Sequence, residues 1–268
     1  MKQKTEISFW GVRGSHPVSR KNTLRYGGNT SCIAFRHKKQ WLICDAGTGI
    51  IPLGKKLAKK KDDIAVLWTH LHWDHLLGLP FFAPLQEKKR KITLLGSRLI
   101  DRVLRPPFFP ITLKQFPATL VREETGPDWT RVGEIWFHHF PVKHSPGTVG
   151  FRFTLPSGKQ VVHVADGAHS LANRDMLRRI EGIDLLIHDA QYSRAEYGVC
   201  KGFGHSCFLD VVVMAIEARA KHLILFHHSP AASDKELEKR LRQARQLIRK
   251  KKSPLRCDLA QEGMVLSL

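Results

Sequence analysis

The chain has 268 residues, of which 42% are apolar and 25% charged, the proportions of a globular protein with ample material for a core. No apolar run approaches the roughly 20 residues that cross a bilayer. The N-terminal segment Met-Lys-Gln-Lys-Thr-Glu has neither the apolar stretch nor the small-residue cleavage site of a signal peptide, so a cytoplasmic protein with no membrane partner is expected. Five cysteines (Cys32, Cys44, Cys200, Cys207 and Cys257) form no CxxC pair, which argues against a disulfide framework or a cysteine-rich zinc knuckle. The net charge of +20 draws anions, nucleotides and nucleic acid among them, without selecting one. Much of it lies in basic runs at 55–61, 88–91 and 235–252, which read as solvated helix faces.

In chain order, β-type runs are predicted at 7–12, 31–35, 41–44, 64–68, 92–95, 135–142, 151–155, 161–165, 185–188 and 223–226. Helices are predicted at 51–60, 173–180, 207–220 and 234–250. The last places Leu237, Leu241, Ala244 and Ile248 on one stripe, bases opposite, with Ser233 or Asp234 as its cap. Pro106-Pro107 and Phe109-Pro110 mark an irregular surface loop. Strands and helices interleave without a strict period, which predicts mixed sheets covered by helices. No repeat or linker divides the chain, so residues 1–268 read as a single domain.

The densest chemical signal is Trp68-Thr69-His70-Leu71-His72-Trp73-Asp74-His75, just after a β-type run. Imidazole and carboxylate suit zinc and similar ions. Alternation along an extended turn points His70 and His72 the same way, and Asp74 and His75 open the next turn, able to serve a second ion. Further ligand types close other β-type runs: His144 after 140–143, Asp166 after 161–165 and His227 after 223–226. Asp45, after Leu42-Ile43-Cys44, reads as a hydrogen-bonding support for the ligand loop.

His70-x-His72-x-Asp74-His75, followed in order by His144, Asp166 and His227, resembles the metallo-β-lactamase superfamily. The resemblance implies an αββα sandwich: two mixed sheets face to face, helices outside, and a metal centre at one edge. It implies two divalent ions per chain, Zn2+ first and Mn2+ or Fe2+ as options. His70, His72 and His144 take one ion, Asp74, His75 and His227 the other, and Asp166 bridges them. Two such ions hold a nucleophile and clamp a phosphoryl oxygen, and Asp74 is placed to accept the proton of the attacking water. The family pattern also implies a homodimer. Around His144 the chain carries an extra serine, and His169 follows Asp166 at a place where the pattern has no histidine.

Gly204-His205-Ser206 resembles the histidine motif of the ribonuclease Z branch, which makes His205 a general acid or phosphate contact. His188 and Asp189, just upstream, read as organisers of the site. Two other segments, Phe9-Trp10-Gly11-Val12-Arg13-Gly14-Ser15 and Tyr26-Gly27-Gly28-Asn29-Thr30, resemble cyclic-nucleotide phosphodiesterases of this fold. So does the segment Leu79-Pro80-Phe81-Phe82-Ala83-Pro84-Leu85. On that resemblance Arg13 pairs with phosphate, and Asn29 bonds the ligand or holds its loop. The first expectation is a metal-dependent phosphodiesterase that opens cyclic nucleotides to nucleoside monophosphates. The alternative is a ribonuclease Z-like endonuclease acting on precursor tRNA, which the basic surface favours and the lack of a long Gly/Pro-rich insertion like that branch's tRNA-gripping arm disfavours. A nucleic-acid-binding protein with a vestigial site is the third.

Overall fold

A strand covered on both faces is apolar throughout, and its two faces feed different cores. In 223–226, Ile224 and Phe226 pack between two sheets, whereas Leu223 and Leu225 pack beneath helices. The structure, a computed structural model, describes residues 3–96, 99–107, 109–126, 128–168 and 174–268. Among them are fourteen strands in two seven-stranded sheets. In chain order these are β1 (Glu6–Gly11), β2 (Cys32–His37), β3 (Gln40–Cys44), β4 (Asp63–Leu67), β5 (Lys91–Leu95), β6 (Thr119–Glu123) and β7 (Thr130–Val132). There follow β8 (Ile135–Pro141), β9 (Val149–Thr154), β10 (Gln160–Val164), β11 (Leu185–Asp189), β12 (His222–Phe226), β13 (Arg256–Leu259) and β14 (Val265–Ser267).

The first sheet runs β14-β1-β2-β3-β4-β5-β6 and the second β13-β12-β11-β10-β9-β8-β7. Each is half antiparallel and half parallel: β3 to β6 run parallel in one, β10 to β13 in the other. The layer between them is aromatic, with the Phe35 and Phe153 rings 4.4 Å apart across the sheets. Helix α1 (Ile50–Leu57) covers the outside of the first sheet through Ile50, Leu53 and Leu57. The segment 79–85 joins it there, with Leu79, Phe82 and Leu85 buried, so this run builds core. After the short helices α2 (Ile100–Val103), α3 (Arg174–Arg179) and α4 (Arg194–Cys200), helices α5 (Phe208–Glu217) and α6 (Asp234–Lys250) cover the second sheet. The architecture is the expected four-layer αββα sandwich.

Ten strands stand where the sequence places them, within about two residues at each end. Helix α6 has the predicted bounds, and Ser233 caps it: its Oγ accepts the Glu236 N–H, and Glu236 accepts the Ser233 N–H. Of the predicted helix 173–180, residue 173 lies outside the described residues, as does His169. Strands β3, β4, β10, β11 and β12 all end at one edge of the sandwich. The residues that follow or close them are Asp45, the 68–75 segment, Asp166, Asp189 and His227.

Candidate metal centre

Two clusters of ligand-type side chains meet at that edge, the first of His70, His72, His144 and Asp166 and the second of Asp74, His75, Asp166 and His227. Within each, one atom per residue lies within 4.8 Å of the others. Asp166 joins them. Its Oδ2 lies 3.6 Å from His70 Nε2 and 3.3 Å from His144 Nε2, and its Oδ1 lies 3.2 Å from His75 Nε2 and 3.0 Å from His227 Nε2. Asp74 Oδ2 faces the same two imidazoles, 3.4 Å from His75 and 3.2 Å from His227. His72 Nδ1 stands 3.2 Å from His144 Nε2. Thus the seven residues expected as ligands converge, in the two groups expected.

What holds the rings explains why the sequence places carbonyls and carboxylates behind them. His75 Nδ1 donates to Asp45 Oδ2 at 2.8 Å, and His144 Nδ1 to the Gly204 carbonyl at 2.9 Å. Thr69 Oγ1 spends its proton on Asp45, so it accepts from His70 Nδ1 at 3.1 Å. Each of these imidazoles therefore turns its Nε2 toward the cluster. Asp45 supports the loop as expected, taking the Thr69 N–H at 2.8 Å and the Ser31 hydroxyl at 3.2 Å. Asp45 (φ 64°), Ser15 (φ 64°) and His227 (φ 55°) all have left-handed backbones, a conformation kept only where the surroundings fix it.

The donor set fits a pair of divalent cations. His70 Nε2, His75 Nε2 and Asp166 Oδ1 are buried without a hydrogen-bond partner, an arrangement that is costly unless a ligand completes it. The electrostatics also call for positive charge. Burial works to raise the Asp74 and Asp166 carboxyls, but neighbouring His75 and His227 hold both well below the usual range. Conversely, burial opposes charge on His227, yet Asp166 and Asp74 push it up to about 10. His70 is pushed down to about 3, first by burial and then by the His75 charge. The positive charge that the carboxylates draw onto His75 and His227 is what a pair of divalent ions would supply in its place, leaving the imidazoles neutral to bind them.

His205 sits over both clusters, its ring 5.1 Å from that of His144 and 5.1 Å from that of His227. Its Nδ1 donates to Asp189 Oδ2 at 3.0 Å. Asp189, His205 and His227 also lie close enough for a third cation. Yet the Asp189 carboxylate is occupied: it accepts the N–H groups of Gly167, Gln191 and Ser206 at 3.1, 2.9 and 3.3 Å. Asp189 is thus an anchor for His205. His188 packs in the core and organises the strand end through its bond to the Asp189 carbonyl, 2.7 Å.

Of the two expected substrate contacts, Arg13 is corrected, and Asn29 takes the second of its two expected roles. Arg13 is wholly buried: Nε donates to Gly27 O at 2.8 Å, and Nη1 to the carbonyls of Ser229 and Ala232 at 3.0 and 2.7 Å. It staples the N-terminal loop to the start of α6 and does not face the clusters. Asn29 holds its loop, donating from Nδ2 to Glu262 Oε2 at 2.9 Å and from its backbone to Oε1 at 2.6 Å. No sequence signal marks Ser15, whose N–H donates to Asp74 Oδ2 at 2.7 Å, or Gln191, which lies buried beside His227.

Residues 40–228 match the β-lactamase superfamily domain, and ribonuclease Z of Brevibacillus brevis is 32% identical over 90% of this chain and 92% of its own length. The chain belongs to the β-lactamase superfamily, on its ribonuclease Z-like branch. It is a metal-dependent hydrolase. Ribonuclease Z of Exiguobacterium sibiricum is 24% identical over 86% of this chain and 91% of its own. Among solved structures, the metallo-β-lactamase fold protein YhfI from Bacillus subtilis superposes with a TM-score of 0.77 at 19% identity, covering 99% of this chain and 100% of that one. The short form of human tRNase Z gives 0.66 at 20% identity, with 97% and 98% covered, which confirms the superfamily fold. No helix among the described residues is long and apolar enough to cross a membrane.

Proposed function

We propose that this superfamily member is a ribonuclease Z-like phosphodiesterase acting on RNA, with precursor tRNA as its substrate class. The observation that carries the reading is the Asp189-His205 pair poised over a doubled His/Asp cluster. The near full-length likeness to the ribonuclease Z of Brevibacillus brevis supports RNA over the cyclic nucleotide expected first. One ion would be held by His70, His72 and His144, the other by Asp74, His75 and His227, with Asp166 shared. Zn2+ is the expected ion and Mn2+ or Fe2+ the options. When bound, such a pair supplies Lewis acidity toward phosphoryl oxygen and acidifies water to near neutrality.

The chain's own groups then divide the work. Asp74 Oδ2, fixed by the Ser15 N–H, orients the attacking water and takes its proton. His205, with Nδ1 spent on Asp189, presents its other nitrogen to the phosphate and donates a proton to the leaving oxygen. In that role the ring donates at both nitrogens, so it acts as imidazolium, with Asp189 as its anchor and counter-charge. Residues 1–268 act as one catalytic domain in this reading, as a cytoplasmic homodimer whose five cysteines stay free thiols. A cavity of about 700 Å³ flanking His70 and His72 has the size of a small-ligand site and favours cyclic-nucleotide hydrolysis as the second reading.

The test is a substrate panel of precursor tRNA, linear dinucleotides and cyclic mononucleotides, run on protein purified without chelator. About two metal ions per chain and efficient precursor-tRNA cleavage are expected. Asp74→Ala and Asp166→Ala should fold, lose metal and lose turnover. Turnover that persists in strong chelator would overturn the metal assignment. Cyclic-nucleotide hydrolysis with no RNA cleavage would move the protein to the second reading.

A further inference from the structure

The cavity beside the clusters opens where the C-terminal ends of β4 and β5 meet the loop between β8 and β9. His70 and His72 line one end of it, so it is continuous with the first cluster. Its other walls include Trp68, Thr125, His139 and Phe151. The His139 and Phe151 rings meet edge-on at 6.5 Å and 86°, and burial lowers the His139 pKa, which keeps that imidazole neutral. Aromatic and apolar groups make up much of this lining, and its one carboxylate among the described residues is Glu124, so it suits a heteroaromatic ring. It suits a phosphate poorly.

We propose that this cavity is a nucleobase pocket, seating the nucleoside attached to one side of the scissile phosphate. The proposal rests on the phosphodiesterase reading above. With the phosphate held at the clusters, His70 and His72 form the passage into the pocket, and the adjoining sugar and base enter it. A volume of about 700 Å³ accommodates a nucleoside. Stacking on such walls is tolerant of base identity, because every base has a π face. The pocket therefore demands a base without demanding one sequence.

Two chromogenic diesters test this, thymidine 5′-(p-nitrophenyl) phosphate and methyl p-nitrophenyl phosphate. They share a leaving group and differ in the nucleoside. The wild type should prefer the nucleoside diester in kcat/KM. Thr125→Trp, which fills the cavity from a surface loop, should cut the ratio of the two kcat/KM values about tenfold or more, the scale of one lost stacking contact. Circular dichroism establishes that the variant is folded, and His139→Ala, which removes wall without adding bulk, should move the ratio the same way. An unchanged ratio in both variants overturns the pocket and leaves the phosphodiesterase reading standing. If the wild type hydrolyses neither diester, that reading fails, and calorimetric titration with adenosine 5′-monophosphate decides the pocket. Binding by wild type that Thr125→Trp abolishes sustains it; no binding, or equal binding, overturns it.

Discussion

His227 shows how much of a metal site lies outside its ligand list. Its Nε2 faces Asp74 and Asp166, which leaves Nδ1 as a buried atom without a partner, and Gln191 Oε1 is a second such atom. A Cβ on Gly14 would overlap both, so the two border one point and Gly14 is small to leave them room. Gln191 Nε2 in turn reaches Ser15 Oγ at 3.4 Å. The two atoms lie side by side without a hydrogen bond, and a small turn of either side chain would pair them, with Gln191 Oε1 accepting from His227 Nδ1. Gln191→Leu should weaken metal binding about 10–100-fold, with Gln191→Glu recovering most of it. Competition against a chelator reads this directly, and unchanged affinity in Gln191→Leu would remove Gln191 from the site's support. His205 makes a different kinetic prediction. His205→Ala should keep its metal and lose about 10²–10⁴-fold in kcat on a natural leaving group. The loss should be smaller on p-nitrophenolate, which departs without a proton. Equal losses on both would assign His205 to phosphate stabilisation and not to proton donation.

Helix α6 is the element that ties the back of the molecule to the site. Its apolar stripe of Leu237, Ala244 and Ile248 buries against the second sheet, with Leu241 half-buried, as patterned. Arg240 breaks the pattern by being a buried base: Nη1 donates to the Gln191 carbonyl and Nη2 pairs with Glu196, both at 2.7 Å. The helix N-terminus also receives the buried Arg13, whose bonds to Ser229 and Ala232 fix the turn before it. Ser233→Ala removes the cap and should cost about 1 kcal/mol, a fall in Tm of roughly 2–4 °C for a chain of this size. A thermal melt measures it, and no fall would show that Arg13 and the apolar stripe alone set the helix start.

At the scale of the whole molecule, charge decides how a polyanion is met. The bases of α6 and of the 55–61 and 88–91 runs are mostly exposed, so the +20 charge is displayed to solvent. Precursor-tRNA binding should therefore weaken steeply with salt, each neutralised phosphate adding about 0.7–0.9 to the log–log slope. A cyclic mononucleotide, with about one charge, should give a slope near one. A shallow slope for tRNA in a salt series would show that the basic surface is not its seat.

The sequence by itself determined the seven side chains that gather in the two clusters. Four ligand types within six positions, and three more at the ends of apolar runs, need no tertiary information, because strand ends converge in an open sheet. It also determined the ten strands that have neighbours on both sides, since burial on both faces writes itself as a continuous apolar run. The four strands it missed, β6, β7, β13 and β14, are the four sheet edges. An edge strand is paired on one side and partly wet, so its composition resembles that of a loop. Tertiary structure alone decided the fate of Arg13, a surface-type residue in sequence and fully buried in the fold. It alone brought Ser15 to Asp74 across 59 positions and Gln191 to the ring of His227. Hydrogen-bond geometry between distant segments has no periodicity to betray it, so the supports of the site become visible only once the chain has folded.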